Sequence, residues 1–332
     1  MKKILVIRFS ALGDIAMTVP VIYDLAVQYP AMDITMLSRE MARPLFERLP
    51  SNVHFIAADL NGRHKGLFGL CKLWRDAHIN DFDYIADFHG VLRTWWLRSE
   101  GCLHRKKIAK IDKGRKGKKA LTRQKNKVLL QQASSFERYA KVLEQLGFPV
   151  RKDFVKLDFS DLCEKTKQAK ETWIGIAPFA KHPAKVYPMD KMEEVINALS
   201  TKATVFLFGG GEEEKSQIEA LCAKYPHVQA AHSPHGLAGE LALMGQLDVM
   251  LSMDSANMHL ASLVGTRVVS VWGGTHPYAG FLGWNQKPND CIQLDMTCRP
   301  CSVYGNKPCL RGDYACMNGI TPEQVIEKLG LS

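Results

Sequence analysis

The feature that most restricts the fold is an alternation of short β-branched runs with helix-length segments, present twice along the chain. Lys3-Ile4-Leu5-Val6-Ile7-Arg8 carries apolar side chains at consecutive positions, as a strand buried on both faces requires. Phe9-Ser10-Ala11-Leu12-Gly13-Asp14 ends it. Ile15, Val19, Ile22, Leu25 and Ala26 then recur at helical spacing, which predicts a helix over 15–29. Further short runs stand at Ile34-Thr35-Met36-Leu37, Val53-His54-Phe55-Ile56 and Tyr84-Ile85-Ala86-Asp87. The second set opens with Trp173-Ile174-Gly175-Ile176-Ala177-Pro178. It continues through a helix at 191–199 and a strand at Thr204-Val205-Phe206-Leu207-Phe208. Gly209-Gly210-Gly211 and a charged helix from Glu212 follow, then strands at 249–252 and 268–272 and a last helix at 322–329. Strands alternating with helices predict parallel sheets. We therefore expect two doubly wound α/β domains, 1–165 and 172–332, with the polar stretch 159–172 as linker. Ligands in such sheets bind outside the carboxyl ends of the strands, so two facing halves would place a site in the cleft between them.

A length of 332 residues suits two domains. No window approaches the about 20 uninterrupted apolar residues of a membrane span. Arg8 and Asp14 interrupt the apolar N-terminus and no small-residue cleavage site follows, so the chain reads as cytoplasmic. Charge is uneven. Residues 1–160 hold 29 Lys and Arg against 16 Asp and Glu, and the remainder 15 against 18. The first half should favour an anionic partner. Much of the excess lies between Arg105 and Lys127, where 12 basic residues accompany one acid, Asp112. Either this run meets the anion or it is a solvated loop. It contains no aromatic residue, and single-strand nucleic-acid binders interleave stacking rings with charge. Nucleic acid is therefore not expected.

Four segments carry candidate chemistry. Gly13 permits close approach to the backbone, and Asp14 beside it suits a general base or a helix cap. Lys181 and Lys185, past the first strand of the second half, suit a phosphate or an exposed loop. Gly209-Gly210-Gly211-Glu212-Glu213 allows a ligand close to the backbone, with a carboxylate for ribose hydroxyls. In Asp254-Ser255-Ala256-Asn257-Met258-His259, a turn opens a helix whose first amides suit an anion. No G-x-G-x-x-G dinucleotide fingerprint is present.

In order and spacing this set resembles glycosyltransferase family 9, the lipopolysaccharide heptosyltransferases. The resemblance rests on Arg8 to Ile15, Asp87-Phe88-His89-Gly90, Lys185-Val186-Tyr187-Pro188, Gly209 to Glu213, Asp254 to Leu260 and Gly273-Gly274-Thr275-His276-Pro277, and it extends to the cysteine-rich tail. It implies a GT-B architecture and inverting transfer of heptose from ADP-heptose to a lipid-anchored, anionic glycan acceptor at the inner-membrane surface. It implies Asp14 as base, with Gly13 and Arg93 at the acceptor. It implies Lys185 at the diphosphate, with Glu213, Asp254, Ser255, Ala256 and His259 around the donor. No divalent metal is implied. Ala256, Tyr187, His89 and His276 depart from the family's common Gly, Trp, Gln and Asp.

Cys298, Cys301, Cys309 and Cys316 follow the pattern C-x2-C-x7-C-x6-C. Four thiolates at such spacing suit structural zinc. Two disulfides or four reduced thiols are the alternatives, and a reducing cytosol disfavours the disulfides.

Overall fold

The structure, a computed structural model, describes residues 1–330. It divides into two compact units. The first comprises 1–113 and 133–157, and the second 114–132 and 158 onward.

In the first unit, β1 (Lys2–Ile7), α1 (Leu12–Ala16), α2 (Val19–Gln28), β2 (Met32–Ser38), β3 (Val53–Ala57), α3 (Gly66–Asp76), β4 (Tyr84–Asp87), α4 (Leu92–Leu103) and β5 (Lys107–Lys110) follow in order. α5 (Arg115–Leu121) belongs to the second unit, and α6 (Ser135–Gln145) returns to the first. The sheet order is β3-β2-β1-β4-β5, all parallel. Ile4, Leu5, Val6 and Ile7 are fully buried, as consecutive apolar positions in a central strand should be. The helix expected over 15–29 is two helices. Thr18 Oγ1 donates to the Ile15 carbonyl at 2.7 Å, and Pro20, lacking an N–H, sits in the first turn of α2. β5 lies inside the basic run. Its lysines flank Ile108 and Ala109 on an edge strand, where charge discourages pairing with another chain.

The second unit contains β6 (Trp173–Ala177), α7 (Met189–Ser200), β7 (Thr204–Leu207), α8 (Glu212–Lys224), β8 (Val228–Ala230), α9 (Gly236–Met244), β9 (Val249–Met253), α10 (Ala256–Leu263), β10 (Val268–Val271), β11 (Cys291–Ile292), α11 (Ala315–Asn318) and α12 (Pro322–Leu329). Its sheet, β11-β10-β9-β6-β7-β8, is again parallel. Both sheets therefore reverse direction beside their first strand, between β1 and β4 and between β6 and β9. Those are the switch points where doubly wound sheets open a crevice.

Two expectations about organisation are corrected. The stretch 159–172 is a strap on the second unit rather than a free linker. Phe159 is buried, Lys167 pairs with Asp248 at 2.6 Å, and Lys165 and Lys167 lie over the rings of Phe206 and Trp173. The basic run is split. Its part from Gly114 belongs to the second unit, where Lys118 is buried against the Phe281 ring and Lys127 Nζ donates to the carbonyls of Thr297 and Pro300. Long aliphatic stems let these lysines pack while their ammonium groups find acceptors. Among the described residues no helix is long and apolar enough to cross a membrane.

Candidate functional site

At the β1/β4 switch point the loop after β1 carries Arg8 and Ser10, and the helix that follows carries Asp14. Arg8 is buried and ties three things together. Its Nε donates to the Ser10 carbonyl at 2.8 Å, its Nη1 to the Phe88 carbonyl at 2.8 Å, and its Nη2 pairs with Asp14 Oδ2 at 2.7 Å. Asp14 lies in the first turn of α1, and the same Oδ2 accepts from Ala11 N at 3.2 Å. It thus bonds back to the helix start and still presents a half-buried carboxylate at the crevice. Gly13 is a buried helical residue of α1.

The loop after β4 is equally ordered. Asp87 is fully buried; its Oδ1 accepts from the amides of His89 and Gly90, and Arg98 Nε lies 2.9 Å from its Oδ2. Gly90 takes a φ of 58°, a left-handed turn that suits glycine. His89 Nδ1 lies 3.4 Å from Phe9 N, and its Nε2 lies 3.5 Å from Ser10 Oγ. Burial, then the charges of Arg8 and Lys113, push its pKa down to about 3, and Arg93 adds to the effect. His89 is therefore a neutral ring at pH 7. Arg93 is exposed in the first turn of α4.

At the β6/β9 switch point, Lys185 closes a short turn, Pro183–Lys185. Its Nζ lies 3.0 Å from Asp254 Oδ2, and Thr275 Oγ1 donates to the same oxygen at 2.8 Å. Asp254 and Thr275 are buried. The loop after β10 joins in, with Gly274 N donating to the Ala184 carbonyl at 2.8 Å. Ser255 directly precedes α10 without a side-chain bond to its amides, its Oγ lying 3.2 Å from Ser252 Oγ; Ala256 is the first helical residue, and His259 is buried one turn on. After β7, Gly211 takes a φ of 87° at the start of α8. Glu214 rather than Glu213 binds this loop, accepting from Gly210 N at 2.7 Å, while Glu213 is exposed.

The cysteine-rich tail wraps the same turn. Arg299 is buried and donates to the carbonyls of Gly273 (2.5 Å), Thr275 (3.1 Å) and Leu294 and to Gln293 Oε1. The amides of Cys301 and Ser302 bond to the Gly274 carbonyl. A Cβ on Gly305 would meet the Lys185 stem at 2.5 Å, so the tail packs directly on that lysine. The four tail cysteines are free thiols. Among the described residues no three His, Cys, Asp or Glu side chains converge as metal ligands would, so of the three alternatives the spacing left open the structure shows the four reduced thiols.

Sequence reasoning named most of these side chains but missed three organisers: Arg8 as the partner of Asp14, Thr275 beneath Asp254, and Arg299. Each works through loops that are distant in sequence.

Burial first, then Arg299, pushes His276 down to about 4, and its Nδ1 accepts from Tyr278 N. Unfolded, both His89 and His276 titrate near 6.5. Between the folded and unfolded values the unfolded chain binds more protons, so stability is lost as pH falls. The contribution of these rings is complete above pH about 6.5 and declines toward pH about 3 to 4. Urea midpoints are expected to fall on acidification, less steeply in His89→Gln/His276→Gln. Coincident slopes for variant and parent would contradict this.

The family model for glycosyltransferase family 9 (heptosyltransferase) matches residues 70–309. Lipopolysaccharide heptosyltransferase 3 of Escherichia coli is 25% identical over 289 residues, covering 79% of this chain and 80% of that protein. A solved glycosyltransferase family 9 protein from Veillonella parvula aligns over 100% of this chain and 98% of its own, with a TM-score of 0.75 and 19% identity. The E. coli ADP-heptose lps heptosyltransferase II structure aligns over 99% and 98%, with a TM-score of 0.68 and 20% identity.

Proposed function

The chain belongs to glycosyltransferase family 9, the heptosyltransferases of lipopolysaccharide synthesis, and has their GT-B fold; from that premise we propose that it transfers heptose from ADP-heptose to an inner-core lipopolysaccharide acceptor, with inversion and at a membrane surface. The observation that carries this reading is the different chemistry of the two switch points. One offers a carboxylate oriented by an arginine, the other a lysine beside a helix start.

Asp14 acts as the base. Both its contacts use Oδ2, which leaves Oδ1 to take the proton of the acceptor hydroxyl. That oxygen bonds to the anomeric carbon as the carbon–phosphate oxygen bond breaks and ADP leaves. Gly13 and Arg93 bind the acceptor, Arg93 meeting its anionic groups. Lys185 and the first amides of α10, from Ser255 and Ala256, stabilise the charge that grows on the diphosphate. Asp254 holds Lys185 in place, His259 lines the donor pocket, and Glu213 serves the ribose. None of these steps calls for a cofactor.

Calorimetry with ADP and UDP tests the donor. ADP is expected to bind at least tenfold more tightly than UDP, a difference of about 1.4 kcal/mol. ADP-heptose should then be consumed with a heptose-deficient inner-core acceptor. A preference for UDP would retain the base and replace heptose with another nucleotide sugar for a different envelope glycan.

A further inference from the structure

The first turns of α3 and α4 expose apolar side chains that a folded domain normally hides. Phe68 is 88% exposed, Leu92 81%, Leu67 68% and Trp95 56%. These helices already bury a complete face elsewhere. α3 packs Gly69, Leu70, Leu73 and Trp74 inward, and α4 packs Thr94, Leu97 and Gly101. Leu67 and Phe68 therefore stand on a second face that the fold leaves uncovered.

That exposure is built on a braced loop. Asp59 accepts from the amides of Gly62 and Arg63, His64 Nδ1 accepts from Asp59 N at 3.0 Å, and Arg63 and His64 both engage Asp76. A Cβ on Gly69 would lie 2.2 Å from the His64 backbone, so α3 is seated tightly at its start.

Placement and charge indicate the occupant. Both helices pack together on one side of the sheet and follow strands whose carboxyl ends form the edge that also carries Asp14. Lys65, Lys72 and Arg75 are exposed among the apolar residues, and among the described residues none of the three is held in an ion pair. Apolar side chains interspersed with cations match an anionic bilayer, where the rings enter the interface and the charges meet phosphate headgroups.

We propose that this α3/α4 face docks the protein on an anionic membrane, seating the Asp14 edge beside the lipid in which the acceptor is anchored. The proposal rests on the lipopolysaccharide-acceptor reading and specifies the surface that reading leaves open.

The test uses the full chain with vesicles of phosphatidylglycerol and phosphatidylethanolamine, against vesicles of phosphatidylcholine alone. The protein is expected to sediment with the anionic vesicles and far less with the neutral ones. Leu67→Ser/Phe68→Ser should weaken that binding by about tenfold or more. Lys65→Gln/Lys72→Gln should weaken it and flatten its dependence on salt. Both variants should glycosylate a deacylated, water-soluble acceptor at the parent rate. Parent-like vesicle binding by Leu67→Ser/Phe68→Ser would overturn the proposal. So would a parent dimer that this variant dissociates, since the face would then meet a second copy. Equal losses on the deacylated acceptor would assign the face to the sugar instead. If the parent transfers no heptose to either acceptor while its vesicle binding still depends on these residues, the docking face stands and the heptosyltransferase reading fails.

Discussion

Asp14→Asn is expected to lower kcat by about 10³, within the range removal of a general base produces, while leaving ADP affinity unchanged. The two effects separate because Asp14 is assigned to the acceptor hydroxyl and not to the nucleotide. The substitution is close to isosteric. The carboxamide keeps an oxygen for the Ala11 amide, and Arg8 keeps the carbonyls of Ser10 and Phe88. The loop should therefore hold its shape, which an unchanged ADP titration and a small shift in Tm would establish. Turnover equal to that of the parent would remove Asp14 from the chemistry and leave it as part of the helix start.

Lys185→Ala is expected to cost about 10² to 10³ in kcat, the scale of a lost charge-stabilising donor, and to weaken ADP binding as well. This variant also strips Asp254 of its cation. A buried carboxylate left in that state destabilises by about 3–5 kcal/mol, although Thr275 still donates to it. The double variant Lys185→Ala/Asp254→Asn separates the two effects. It should regain stability, because no unpaired charge is left buried, and, on the role proposed for Lys185, should remain inactive, because the diphosphate would still lack its cation. Recovery of turnover in the double variant would mean that Lys185 serves only to neutralise Asp254.

Much of the candidate site was legible because its residues sit in loops that interrupt obvious strands. Asp14 follows the run 3–8, Lys185 follows 173–178, and Asp254 follows 249–252. Periodicity marks where each strand ends, and in a parallel sheet the chemistry gathers there. What stayed hidden was long-range pairing. Nothing near Arg8 announces that its guanidinium holds both Asp14 and the loop after β4. Nothing near Arg299 announces that it gathers the carbonyls of 273 and 275. The tail illustrates the hazard of reading spacing alone. Its four cysteines have the intervals of a metal site, yet among the described residues no three metal-ligating side chains converge.

The sequence by itself determined the class of fold, the number of units, the positions of the central strands and the loops that hold the candidate residues. These follow from local rules, since burial sets a strand's apolar run and glycine or proline sets its turns. Only the tertiary structure decided that β4 returns beside β1 and β9 beside β6, bringing Phe88 to Arg8 and Asp254 to Lys185. It also assigned 114–132 to the second unit and left Leu67 and Phe68 uncovered. Strand order, and which face of a helix is covered, depend on contacts between residues far apart in the chain, and no local pattern of side chains encodes those contacts.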